Sequence, residues 1–243
     1  MFWKKVRRIF RKKKCASLEN IFFLIEFPTL VNLNFLCNMK LAVSGSLKFD
    51  LQKGRLAMKI NIAIAGGPCT GKSTLAAALF AELKVGGLDY DLIEEEARKL
   101  KKGFGNPRSP FERFYMWRQQ EREELRSIAL DGFVTDTPLF HYYAQARQYA
   151  LEPRDNLAVR ELLIMCLEIE DRYQLIVIAK NQLEIPFKSD QTRTGGEKQA
   201  RPRHDLIVSF VQHFWPEKLF FVEGDVPTRV GQITKKMAGM RAR

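Results

Sequence analysis

From Lys59 onward, short apolar runs alternate with longer amphipathic stretches along the chain. Lys59–Ala65 (KINIAIA) is β-rich and ends in glycines, which predicts a buried strand running into a tight loop. Ser73–Leu83 places Ala and Leu at helical spacing until Gly86-Gly87 stops it. Tyr90–Ile93 reads as a second strand, running into Glu94-Glu95-Glu96. A loop with glycine and proline, Gly103–Pro110, precedes a helix spanning roughly Phe111 to Leu130. Gly132–Thr135 is a third strand ending at Asp136, and Pro138 suits the first turn of a helix. Helices are expected through Tyr149 and from Asp155 to roughly Tyr173, then an apolar strand at Leu175–Ala179. Residues 180–203 are polar and basic, with Gly195-Gly196, and read as a mobile loop. His204–Phe214 reads as a helix, Lys218–Val222 as a strand and Thr228–Met240 as a terminal helix.

Alternation of this kind predicts an α/β protein: a parallel five-stranded sheet with helices on both faces. In such sheets the ligand site lies at the carboxyl ends of the strands. The glycine loop after the first strand, Glu95 and Asp136 all fall there.

The glycine loop carries the most specific signal. Gly66-Gly67-Pro68-Cys69-Thr70-Gly71-Lys72-Ser73 satisfies GxxxxGK[ST] at every fixed position, with Thr74 following. Such a loop turns backbone N–H groups inward around phosphate oxygens, and the helix behind it offers its positive end. Lys72 is placed to reach the β- and γ-phosphates, and the Ser73 hydroxyl to ligate magnesium. ATP and Mg2+ are the implied cofactors. Cys69 is read as filling a small space, since the sequence shows no resolving thiol.

Asp136, at the end of an apolar strand, is placed to hold magnesium directly or through water, or to cap the next helix. The acidic turn offers a carboxylate to orient and deprotonate an attacking hydroxyl, and Glu95, its central member, is the expected general base. It also reads as an acidic first turn of a helix. Phe111, Phe114, Tyr115 and Trp117 share one helix and either line the core or stack an acceptor base. His141, Tyr142 and Tyr143 read as core, and no histidine is given a catalytic role. Arginines in the 180–203 loop, Arg193 and Arg201 among them, suit a basic lid that neutralises the transferring phosphoryl group.

Composition narrows the picture. The 243 residues suit one domain with extra segments, and 46% hydrophobic and 28% charged residues are ordinary for a globular protein. Cys15, Cys37, Cys69 and Cys166 are scattered without a CxxC pair, against a metal site or disulfide framework and in keeping with a reducing cytosol. The net charge of +12 is concentrated upstream: residues 1–57 hold 12 Lys/Arg against 3 Asp/Glu, and the remainder 28 against 25. The part with the chemistry is therefore no broad basic platform. Residues 1–14 are polybasic and 20–37 largely apolar, but Glu26, Pro28, Asn32 and Asn34 suit a membrane span poorly. Met58 is the expected start of the enzyme, with residues 1–57 an over-extended or disordered extension and 58–243 the kinase domain. No membrane partner is expected.

GGPCTGKSTLAAALFAEL, LIEEEARKL, FVTDTPLFHYYAQA and SDQTR together resemble nucleoside and nucleotide kinases of the thymidylate kinase type. They are also similar to nicotinamide-riboside-kinase-like P-loop proteins common in bacteriophages. The similarity covers roughly residues 58–240 and implies a P-loop kinase fold with a lid. By this resemblance Glu95 with Ala97-Arg98 matches the acidic–Ala–Arg segment after the second strand. Asp136 takes the place of the aspartate in the Asp-Arg-aromatic motif, and Asp190 and Arg193 match the Asp-x-x-Arg lid signature. Thr137-Pro138 stands where thymidylate kinases carry the arginine that clamps the acceptor's phosphate, which turns the expectation away from a free nucleoside monophosphate.

One class of phage kinase of this type phosphorylates the hydroxymethyl group of 5-hydroxymethyluracil in DNA, a step in thymidine hypermodification. That acceptor is the leading expectation, acting in an infected bacterial cytoplasm, with the base extruded from the stack. The alternatives are a kinase for a free nucleoside, nucleoside monophosphate or nicotinamide riboside, and an ATPase switch that phosphorylates nothing.

Overall fold

The structure is a computed structural model that describes residues 47–50, 55–96, 109–179 and 196–242. A two-stranded antiparallel hairpin comes first, pairing β1 (Leu47–Asp50) with β2 (Arg55–Met58). The sequence pattern does not anticipate it. Five parallel strands follow: β3 (Ile62–Ala65), β4 (Tyr90–Ile93), β5 (Gly132–Thr135), β6 (Leu175–Ala179) and β7 (Leu219–Val222). Their order across the sheet is β4-β5-β3-β6-β7, so the first strand of the sheet is its centre.

Six helices are described: α1 (Lys72–Val85), α2 (Glu112–Arg126), α3 (Phe140–Tyr149), α4 (Asp155–Glu168), α5 (Gly196–Phe214) and α6 (Val226–Arg241). None of them is long and apolar enough to cross a membrane.

Side-chain alternation along the strands divides the core in two. Ile62, Ile64, Val134, Leu175 and Val177 pack toward α1 and α6, where Leu75, Leu79, Leu83, Ile233 and Met237 meet them. Ala63, Ala65, Phe133, Ile176 and Ile178 face the layer that contains Trp117, Phe140, Leu162 and Phe210. Both faces are covered, which is why the strands read as continuous apolar runs rather than as alternating ones. On the second face, Phe140 of α3 stacks on Phe210 of α5 at 5.8 Å and meets Trp215 edge-on at 5.6 Å. These contacts fix α3 and α5 against each other, and both helices reach the glycine loop.

Several boundaries differ from the sequence expectation: α2 ends at Arg126 rather than near Leu130, and α4 at Glu168 rather than near Tyr173. Residues 196–203, read as loop, form the start of α5, and Pro202 lies inside that helix. Gly196 and Pro202 look like breakers locally, but residues beyond them bury Ile207, Phe210 and Val211 in the core and hold the helix in place. The last helix begins earlier than Thr228: Asp225 caps it, its carboxylate accepting from the Thr228 N–H at 2.9 Å. Residues 1–46, Ala97, Arg98, Asp190, Arg193 and Gly195 lie outside the described residues.

Candidate active site

The glycine loop joins the central strand β3 to α1. Gly71 is the N-cap of α1 at φ 74°, with no side-chain cap and no acidic residue in the first turn. The opening N–H groups of a helix have no intrahelical acceptor, so this end stays available to an anion. Cys69 also lies in the left-handed region, at φ 59°. Left-handed residues within the loop turn successive N–H groups into one concavity.

Inside the loop, the Thr70 hydroxyl donates to the Gly67 carbonyl at 3.0 Å and the Lys72 ammonium to the same oxygen at 2.6 Å. Burial lowers the Lys72 pKa, and the carboxylates of Glu95 and then Asp136 pull it back up. A triphosphate in the loop would act in the same sense as those carboxylates.

Ser73 donates its hydroxyl proton to Asp136 Oδ2. The second oxygen, Asp136 Oδ1, is buried without a hydrogen-bond partner. Asp136 does not cap α3, whose N-cap is Leu139 with no side-chain bond. A hydroxyl and a carboxylate side by side, one oxygen orphaned, form a hard oxygen donor set that fits magnesium. Ser73 and Asp136 would hold it, and bound magnesium would neutralise charge on the phosphate oxygens.

Glu95 lies at the carboxyl end of β4, half-buried, while Glu94 is exposed. The turn is held by Gln120 of α2, whose Oε1 accepts from the Glu96 N–H at 3.0 Å and whose Nε2 donates to Thr135 Oγ1 at 3.4 Å. Tyr142 also donates to Gln120 Oε1, at 3.5 Å. One buried amide thus ties the ends of β4 and β5 together. Of the aromatic residues on α2, Trp117 is core, Phe114 packs against the core, and Phe111 and Tyr115 are exposed.

Two histidines touch the loop, a contact that the reading of His141 as core did not include. His141 Nε2 accepts from the Gly66 N–H and His204 Nδ1 from the Gly67 N–H, both at 3.3 Å. An imidazole nitrogen that accepts is unprotonated. Burial and the nearby Lys72 charge push both pKa values below the ordinary histidine value, although Asp205 partly opposes this at His204. Arg201 is exposed on α5. It is the half-buried Arg203 whose charge Lys72 senses. The sequence signal for Arg203 was its place within the basic segment, which His204 directly follows; nothing local marked His141 for the loop.

A family model described as an AAA domain (AAA_28) matches residues 61–229, which spans the sheet from β3 and the loop above. The chain belongs to this AAA-domain family. No curated protein matches it in sequence. Among solved structures, NadR in complex with NAD and AMP-PNP is similar over 76% of this chain and 50% of its own, with 16% identity and a TM-score of 0.59. NadR in complex with NR aligns over 69% of this chain and 47% of its own, with 18% identity and a TM-score of 0.53. Deoxyadenosine kinase from M. mycoides, with products dCMP and dCDP bound, is covered over its whole length by 74% of this chain, at 15% identity and a TM-score of 0.52. The chain thus spans about half of the NadR chains. These likenesses establish the P-loop kinase-like α/β fold of this AAA-domain family member.

Proposed function

We propose that residues 58–243 form an ATP-dependent kinase that transfers the γ-phosphoryl group to a hydroxyl of a nucleoside-type acceptor. The observation that carries this reading is Glu95, half-buried at the carboxyl end of β4 in a turn that Gln120 ties to the end of β5, next to Asp136. Nucleotide binding alone needs the loop, Ser73 and Asp136. A further carboxylate beside the transferring end is what an acceptor hydroxyl needs. In the reaction, Glu95 takes the proton as the acceptor oxygen bonds to the γ-phosphorus and the bond to the β–γ bridging oxygen breaks, releasing ADP. Lys72 and the N–H groups of 72–74 hold the phosphates in line, and Arg193 and Arg201 of the basic segment are the side chains this reading assigns to neutralising the transferring group.

Within this class, the first acceptor to test is the hydroxymethyl group of 5-hydroxymethyluracil in DNA. Thr137-Pro138 in place of an arginine, and the exposed Phe111 and Tyr115, support it. A free nucleoside is the second reading, favoured by the fold shared with NadR and deoxyadenosine kinase.

The test is γ-labelled ATP with modified duplex DNA or with free nucleosides. Lys72→Ala should abolish transfer, and Glu95→Gln should lower kcat about 100-fold with little change in ATP affinity. Label on small molecules alone rejects the DNA acceptor. Release of free phosphate at one rate with or without acceptor replaces the kinase by an ATPase switch.

A further inference from the structure

Arg113, in the first turn of α2, is 1% exposed. Its Nη1 donates to Met116 Sδ at 3.2 Å, a weak acceptor, and its Nε is buried with no partner. The guanidinium lies over the Tyr149 ring, 4.9 Å from its centroid. Arg203 of α5 approaches the same ring at 5.8 Å, its Nε donating to Gln148 Oε1 at 2.6 Å and its Nη2 to the Tyr149 hydroxyl at 3.5 Å. Among the described residues no carboxylate forms an ion pair with either arginine. Buried arginines are almost always paired, because taking the charge out of water costs several kcal/mol. A cation–π contact returns only about 0.5–2 kcal/mol.

We propose that Arg113 and Arg203 form a second anion site, on the acceptor side of the glycine loop, that takes a phosphate group carried by the acceptor. This rests on the kinase reading above and narrows its substrate class to acceptors bearing a phosphate. Both guanidiniums approach one ring, at 4.9 and 5.8 Å from its centroid, and the planar fork of an arginine matches phosphate oxygens two at a time. Desolvation, with Arg203 adding to it, lowers the Arg113 guanidinium to about 10, as expected of a cation awaiting its counter-charge. Arg203 is adjacent in α5 to His204, whose Nδ1 accepts from the Gly67 N–H at 3.3 Å, so the helix that carries it touches the glycine loop. α3, which carries Tyr149, also carries Tyr142, whose hydroxyl donates to Gln120 Oε1 at 3.5 Å, the oxygen that accepts from the Glu96 N–H beside the proposed base. The arginine absent at Thr137-Pro138 is thereby replaced from other elements, by the buried Arg113 of α2 and the half-buried Arg203 of α5.

The experiment is calorimetric titration of the full chain with Mg·AMP-PNP, followed by inorganic phosphate. The wild type should bind one further phosphate. Arg113→Gln and Arg203→Gln should each weaken that step about tenfold or more, while Arg113→Gln leaves AMP-PNP affinity unchanged. Competition by dTMP identifies a free monophosphate as the source, and competition by a short oligothymidylate alone identifies a phosphodiester. Failure of the wild type to bind AMP-PNP removes the kinase reading. Intact AMP-PNP binding with no second phosphate, an unaltered second phosphate in both variants, or displacement by neither competitor overturns this proposal alone.

Discussion

Cys69 holds a left-handed conformation in the middle of the loop, a position that costs an ordinary L-residue about 1–2 kcal/mol. Local sequence showed the loop but not this strain, because GxxxxGK[ST] leaves the residue at that position open. The strain predicts an order among substitutions. Cys69→Gly should remain within about 1 kcal/mol of the wild type, since relief of strain offsets the greater freedom of the unfolded chain. Cys69→Val, β-branched, should be less stable than Cys69→Gly by about 2 kcal/mol. Urea midpoints measure both; equal stability of the two variants contradicts the left-handed assignment. Lys72 and Ser73 were legible since their spacing is contiguous. His204 was not, because its partner Gly67 lies 137 positions away and no local period encodes that pairing.

The strands of the sheet were legible because covered parallel strands have near-continuous apolar runs; β4, β5 and β6 have the expected bounds. The start of α5 was not, since its breakers are overruled by tertiary packing further along. The start of β5 holds a constraint that is equally invisible in sequence. Gly132 adopts φ +136°, and a Cβ there would lie 2.3 Å from the Ile60 carbonyl oxygen. That oxygen belongs to backbone entering the central strand, tied by the Ile60 N–H to the Asp131 carbonyl at 2.9 Å, so neither side can yield without moving β3 or β5. Gly132→Ala should therefore cost about 3 kcal/mol. A loss below about 0.5 kcal/mol in denaturant unfolding would show that the two strands are not this close.

Three buried groups give the whole molecule a pH profile with opposing limbs. Glu124 of α2 accepts from the Tyr173 hydroxyl at 2.8 Å and from Arg172 at 3.4 Å. Desolvation outweighs these partners and pushes its carboxyl up to about 8. A raised carboxyl keeps its proton in the fold while the unfolded chain has lost it, so stability falls as pH rises from about 4.5 to about 8. His141 and His204 act the other way. Their folded pKa values are depressed, so below about 6.5 the unfolded chain takes up protons that the fold refuses, and stability falls as pH drops. Protonation would also remove the acceptors of the Gly66 and Gly67 N–H groups, so the acid limb originates at the loop itself. The sum is a maximum near pH 6.5. Between pH 6 and pH 8.5 the wild type should lose on the order of 2 kcal/mol, and Glu124→Gln, which keeps an oxygen for Tyr173 but cannot ionise, should stay nearly flat. Replacing both histidines with Gln should instead remove the acid limb, so that stability goes on rising as pH falls to about 4.5. Unfolding free energies across pH 5–9 decide it: an alkaline limb that survives Glu124→Gln assigns the titration to another group.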